Sequence, residues 1–449
     1  MMHRYLPHTP SQRQEMLQAV GVPDIEALFA DIPESLRLKQ DLKIPAALSE
    51  LELSREMAAL AERNASADKY ACFLGGGIYD HFVPTAVNHL AGRSEFLTSY
   101  TPYQPEVSQG TLQTIFEYQT MVCELTGMDV SNASMYDGAT AMAEAAFMAA
   151  AATKRKGIVV ARTVNPQYRQ VLETYAPYQE LTVTEALFEN GQIDMADVEK
   201  RLSSETAALI VQSPNFFGCL EDLETLGQAA KKAGALFVVA TDLMALALIE
   251  PPSVFGADVV VGEGQPMGNS MNFGGPGFGF FAVTKQYMRK IPGRVVGQTV
   301  DRKGNRAWVL TLQAREQHIR REKATSNICS NHNLNIVMAA IHMSLMGKEG
   351  LREAAEACLR KAAYTKKLLT DGGKFQSVSD APFFREFLVK SSEDPSAINE
   401  RLFEKGIIGG YDVSEDYPEL KKGWLVAVTE KRTADEIRSL TETAGRDDR

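Results

Sequence analysis

Three features of this sequence have the residue types and spacing for chemistry. Met135-Tyr-Asp-Gly-Ala-Thr140 opens an alanine-rich stretch running to about Thr153. Alanine favours helix, and a glycine-containing helix start offers free N–H groups to a phosphate or carboxylate. Asp137, Gly138 and Thr140 are therefore candidate anion-site residues. Thr241-Asp242 follows the apolar run Leu236–Ala240, and an acid at such a strand tip is what a pyridoxal enzyme uses to keep the pyridine nitrogen protonated. Between Asp258 and Phe281 an apolar strand leads into a turn with six glycines from Gly262 to Gly277, then a second strand. Glycines there let the backbone bend and a ligand approach closely. From Asp258 through Thr284 there is no lysine, so no amine stands ready to hold a carbonyl cofactor as an imine.

A second cluster is polar and aromatic. Gly75-Gly-Gly-Ile-Tyr-Asp-His81 and Thr98-Ser-Tyr-Thr-Pro-Tyr-Gln-Pro-Glu-Val-Ser-Gln-Gly110 have little regular pattern, the kind of loop that lines a site, and Tyr100, Tyr103, Gln104 and Gln109 could orient a ligand there. The plainer alternative is a proline-pinned connection into the helix from Thr111 to Thr126. Arg320, Arg321 and Lys323 form a basic run, read either as a partner contact or as a solvated helix face.

The elements that must position these residues follow from periodicity. Strand candidates lie at Gly157–Ala161, Leu181–Thr184, Ala207–Gln212, Leu236–Ala240 and Val259–Val261, with Phe278–Val283 as a closing strand. Helical patterns intervene at Tyr168–Tyr175, Met195–Leu202 and Leu223–Lys232. Such alternation predicts a mostly parallel sheet with right-handed crossovers, whose carboxyl ends are the usual ligand site. Residues 1–70 read as an N-terminal helical arm, with helices from Ser11 to near Gly21 and within Ala46–Asn64. The arm either wraps a neighbouring subunit or packs on its own domain. Residues 71–330 form the large α/β domain. Within it Val309–Ala324 reads as helical, with Ser326 and Asn327 as a cap or bend. Residues 331–449 hold a linking helix, from about Asn333 to Leu369 with a break expected at Gly347–Gly350, and a small C-terminal α+β domain with strands at Phe383–Lys390 and Trp424–Thr429.

Composition bounds the function classes. The chain has 449 residues, 45% hydrophobic and 23% charged, with net charge −10. That is globular, and the negative balance argues against nucleic acid or an anionic membrane. The start lacks an apolar core of the secretory type. The five scattered cysteines predict reduced thiols and a cytoplasmic location. The histidines, His81 and His89 included, lack metal-ligand spacing.

Four stretches together, Tyr100–Gly110, Met135–Glu144, Asn272-Phe-Gly-Gly-Pro-Gly277 and Arg320-Arg-Glu-Lys-Ala-Thr-Ser-Asn-Ile-Cys329, resemble the glycine cleavage system P-protein family. The likeness runs over essentially the whole chain and is closest to the first (alpha) subunit of the two-subunit bacterial form. It implies a fold-type-I architecture of pyridoxal-phosphate enzymes. It also implies decarboxylation of glycine by a complex that passes the aminomethyl group to the lipoyl arm of H-protein. In the partner subunit of that family a His-Lys pair follows the strand corresponding to Val259–Val261. Here the region reads Gly264-Gln265-Pro266-Met267, and proline cannot form an imine. The expectation is a chain with no catalytic residue of its own and with Asp137, Gly138, Thr140 and Asp242 as a vestigial cofactor site. Pyridoxal phosphate would be carried by a lysine-bearing partner in a heterotetramer, with Tyr100, Tyr103, Gln104 and Gln109 lining the partner's pocket. Two rivals remain. One is a self-sufficient pyridoxal enzyme of aminotransferase type using Lys285 or Lys323, and the other is a purely structural pseudoenzyme.

Overall fold

The structure is a computed structural model that describes residues 5–40, 42–324, 328 and 332–446. Ser326, Asn327 and Cys329 lie outside the described residues, as do the last three of the C-terminal tail. Contacts divide the chain into Met1–Ala65 and Ser66–Arg449, where the sequence placed boundaries after residues 70 and 330.

The first unit contains helices Pro10–Val20 and Glu50–Ala61, each opened by a capping box. Thr9 and Ser49 accept from the third backbone N–H while Gln12 and Glu52 reach back, which satisfies donors a helix start leaves open. None of its described residues is buried.

The second unit is built on a seven-stranded sheet. Its strands are β1 (Val130–Ser131), β2 (Gly157–Ala161), β3 (Thr182–Ala186), β4 (Thr206–Gln212), β5 (Leu236–Ala240), β6 (Val259–Glu263) and β7 (Gly279–Val283). The spatial order is β1-β7-β6-β5-β4-β2-β3. All pairs from β6 to β3 are parallel, whereas β7 runs antiparallel to β6 and to β1. The last strand therefore does not close the sheet. It lies inside the edge formed by Val130–Ser131, a two-residue strand too short to give a periodic signal. The Val/Ile/Leu runs of β2, β4, β5 and β6 are buried, as expected of parallel strands covered on both faces. The Gly138–Thr153 helix buries ten residues, mostly alanine, and packs between the sheet and the Pro166–Tyr175 helix.

The expected helix over Val309–Ala324 is not there. Arg306–Thr311 is a strand paired with Val295–Val300, and Gln313–Arg315, Gln317–Arg320 and Arg321–Lys323 form no more than single turns. The reason is alternation: Trp308 and Leu310 point inward while their neighbours are less buried, a period of two that the charge-dense residues downstream mask. The Asn333–Asp371 helix is interrupted at Gly347, whose φ of 58° is left-handed. It leads to a four-stranded antiparallel sheet holding Phe375–Ser377, Glu386–Ser391, Gly423–Ala427 and Tyr411–Asp412. That sheet shares a separate core with Phe73, Ile398, Trp424 and Leu440. Ala71–Cys72 pairs in parallel with Ile407–Ile408, so the chain enters this unit on its C-terminal layer.

Candidate functional site

A cleft of about 50 Å3 opens at the carboxyl ends of β4, β5 and β6, lined among others by Tyr79, Tyr168, Asp242, Glu263, Pro266 and Arg385. It lies where a doubly wound sheet presents its ligand site. Asp242 follows β5, as the sequence suggested. Its Oδ2 lies 2.5 Å from Nη2 of Arg385, and its Oδ1 accepts from the Met244 N–H at 2.9 Å. The Arg385 guanidinium sits 3.4 Å from the centroid of the Tyr79 ring, a cation–π stack. The neighbouring Glu386 accepts from the Tyr79 hydroxyl and from the Gly76 N–H, each at 2.5 Å.

The helix start is filled as well. Glu263, the last residue of β6, accepts from the Gly138 N–H at 3.0 Å through Oε2. Through Oε1 it accepts from the Gln265 and Phe278 N–H groups at 3.2 and 3.3 Å. Burial pushes its carboxyl up to about 7, with nearby Asp137 adding to the rise and the three N–H bonds opposing it. Asp137 and Thr140 cap their own helix: Asp137 Oδ1 accepts from the Thr140 N–H at 2.7 Å and from its hydroxyl at 2.9 Å. Gln265, where an imine-forming amine would be sought, is stitched to backbone instead. It accepts from the Tyr79 N–H at 3.0 Å and donates to Tyr79 O at 3.1 Å and Asn269 O at 2.7 Å.

These residues do not fit pyridoxal phosphate. The cleft is far below the roughly 300–1,000 Å3 of small-molecule pockets. None of the described residues lining it is a lysine, its anion cradle holds Glu263, and Asp242 is matched by Arg385. Lys285 cannot serve. β7 runs antiparallel, pairing Gly279 with Glu263 and Val283 with Val259, so Lys285 emerges at the opposite end of the sheet, roughly 13 Å or more away. Lys323 is exposed and does not line the cleft.

The aromatic loop divides. Tyr100 is 81% exposed and Gln104 is exposed too. Tyr103 is anchored: the Arg294 guanidinium donates to its hydroxyl at 2.5 Å and stacks on its ring at 4.9 Å. Gln109 is spent on the fold, accepting from the Trp308 N–H and donating to Trp308 O, both at 2.9 Å. Arg320, Arg321 and Lys323 are exposed, on short turns and not the long helix expected. His81, Cys358 and Glu430 bring ligand-type atoms within 4.8 Å of one another. Arg385 faces the His81 Nε2, and Glu430 is taken by His81 Nδ1 and the Phe82 N–H, both at 2.6 Å. A buried guanidinium at that place repels a cation.

Sequence reasoning missed Glu263, Arg385 and Glu386, whereas Tyr79 lies in the Gly75–His81 stretch read as site-lining. A charged residue closing the apolar run Val259–Gly262 was a usable signal for Glu263. Arg385 and Glu386 gave none, because their partners Asp242, Gly76 and Tyr79 lie more than a hundred positions away in the chain.

Comparisons with known proteins agree with this architecture. The family profile described as glycine cleavage system P-protein matches residues 3–444. The chain is 53% identical over 445 residues to a probable glycine dehydrogenase (decarboxylating) subunit 1 of Geobacillus sp. (strain WCH70), covering 99% of both chains. Among solved structures it is similar to an inhibitor-bound glycine decarboxylase (P-protein) of the glycine cleavage system, with TM-score 0.91, 43% identity and 99% of each chain covered. A sphingosine-1-phosphate lyase from Burkholderia pseudomallei K96243, at TM-score 0.66 and 14% identity over 92% of this chain and 94% of that one, shares the fold alone. With full-length coverage and a cleft in the place the fold dictates, the chain belongs to the glycine cleavage system P-protein family.

Proposed function

We propose that this chain is the lysine-free subunit of a two-subunit glycine decarboxylase, and that pyridoxal phosphate and the bond-breaking chemistry reside on a lysine-bearing partner. The observation that carries this reading is the self-filled cleft: Glu263 on the helix amides and Arg385 on Asp242 leave neither an anion site nor an imine-forming amine. The chain's part is to dock on the catalytic subunit and wall in its active site, a use of the fold that does not need its own cofactor. Tyr100 and Gln104, exposed in the irregular loop, are the side chains offered to the partner's pocket, together with Tyr103, which is exposed too and anchored by Arg294. The basic turn at Arg320, Arg321 and Lys323 is proposed to meet the partner subunit or H-protein, whose lipoyl group receives the aminomethyl fragment. Among the described residues no helix is long and apolar enough to cross a membrane, and a cytoplasmic location is proposed.

The test is glycine–bicarbonate exchange by this chain, by the partner, and by the reconstituted pair with H-protein. Exchange is expected from the pair alone. Full exchange from the partner by itself would leave this chain a structural pseudoenzyme, and exchange by this chain alone would make it a complete enzyme.

A further inference from the structure

We infer that Glu263 is a built-in occupant of a phosphate-type site: its carboxylate takes up a backbone amide cradle at the start of the Gly138–Thr153 helix and so keeps phosphate monoesters out of this chain. Three N–H groups from three separate segments, those of Gly138, Gln265 and Phe278, converge on this one carboxylate at 3.0 to 3.3 Å. An ordinary helix cap does not need it, because Asp137 and Thr140 already form a reciprocal capping box on the same helix. That helix has 16 residues, and its amino end favours an anion through both dipole and free N–H groups.

The backbone around Glu263 independently keeps the shape of a cradle. A Cβ at Gly138 would meet the Tyr168 hydroxyl at 2.0 Å and the Glu263 nitrogen at 2.9 Å, and a Cβ at Gly277 would meet Glu263 Oε1 at 2.8 Å. Gly277 thus leaves room for the carboxylate itself and Gly138 for the close approach of the Glu263 backbone and Tyr168, yet the group in the cradle is the protein's own. Across the same cleft Arg385 supplies Asp242 with the positive charge that a protonated ring nitrogen would otherwise bring. Together Glu263 and Arg385, which line the same cleft, satisfy the helix amides and Asp242 from within the chain.

The consequence is stoichiometric: a pair of unlike subunits loads cofactor in one cleft only. That consequence rests on the proposed division of labour, whereas the occupancy itself concerns this chain alone. Failure of one is therefore separable from failure of the other, since the binding test below uses no catalytic readout.

The test is equilibrium dialysis of the full-length chain against millimolar inorganic phosphate, with pyridoxal phosphate as competitor. The native chain is expected to retain none above the buffer control, and Glu263→Ala about one equivalent that the competitor displaces. Retention of one equivalent by the native chain, or of none by a folded Glu263→Ala variant, overturns the inference. Should Glu263→Ala fail to fold, the native chain labelled with [15N]glycine decides. The Gly138 amide resonance is expected to move as the Glu263 carboxyl ionises, with Asp137, Asp242, Tyr118 and Tyr168 as the other titratable groups facing it. A Gly138 resonance that stays fixed through that titration contradicts the occupancy.

Discussion

Arg385 Nη2 stands 2.5 Å from Asp242 Oδ2, with the guanidinium stacked on the Tyr79 ring. A strand tip of the sheet domain and the start of the Glu386–Ser391 strand are thereby tied by one buried charge pair. Removing one partner strands the other charge. Arg385→Met is expected to cost about 3 kcal/mol, the low end for a buried pair because Asp242 keeps some exposure. The double variant Arg385→Met/Asp242→Asn should lose clearly less than the sum of the single changes. Guanidinium unfolding of the four proteins checks this, and strict additivity would show the pair to be uncoupled.

Two glutamates set opposite pH dependences. Burial raises Glu263 from the ordinary 4.5 to about 7, so the folded chain holds that proton more tightly than the unfolded one. Its contribution to stability is complete below about pH 4.5 and is lost as pH rises through about 7, at a slope no steeper than about 1.4 kcal/mol per pH unit. Glu430 goes the other way: burial disfavours its charge, but the hydrogen bonds from His81 and the Phe82 N–H prevail and hold it at about 2. Its contribution is present above about pH 4.5 and is lost as pH falls towards 2. Urea midpoints from pH 2 to 8 should show Glu263→Gln flattening the upper limb and Glu430→Gln the lower. Unchanged limbs would contradict both assignments.

The buried β-strands were legible because parallel strands are apolar throughout, and β2 and β5 fall on the residues that periodicity indicated. The missing lysine was legible for the same reason, since the strand before the glycine-rich turn can be located. The hairpin at Val295–Val300 and Arg306–Thr311 was not, because charges beyond Thr311 imitate a helical face. Nor could Asp242 be matched with Arg385, 143 positions away, from local spacing. That Tyr103 and Gln109 serve their own fold depends on Arg294 and Trp308, which only the tertiary structure brings near.

The loop residues therefore separate by experiment. Gln109→Ala leaves the Trp308 N–H and carbonyl without their clamp and should cost about 1–3 kcal/mol. Tyr103→Phe loses one hydrogen bond from Arg294, about 1 kcal/mol. Tyr100→Ala removes a side chain 81% exposed and should change stability by no more than about 0.5 kcal/mol, yet reduce exchange by the reconstituted pair. Thermal unfolding paired with exchange assays checks this, and undiminished exchange in Tyr100→Ala would remove it from the shared site.

The first unit exposes Leu36, Leu38, Leu42 and Ile44 within nine residues, an apolar stretch of the kind that marks an interaction surface. We expect the arm to wrap the partner subunit. Deletion of residues 1–65 should weaken assembly of the mixed subunits. Sedimentation of the mixed subunits reads the difference, and assembly at native affinity without the arm would contradict that role.

The most direct measurement is borohydride reduction of the reconstituted pair with pyridoxal phosphate, followed by peptide mapping for pyridoxyl-lysine. The account predicts the modified lysine in the partner subunit and no stoichiometric modification in this chain. Pyridoxyl-lysine at Lys285, Lys323 or any other lysine of this chain, in proportion to activity, would contradict it.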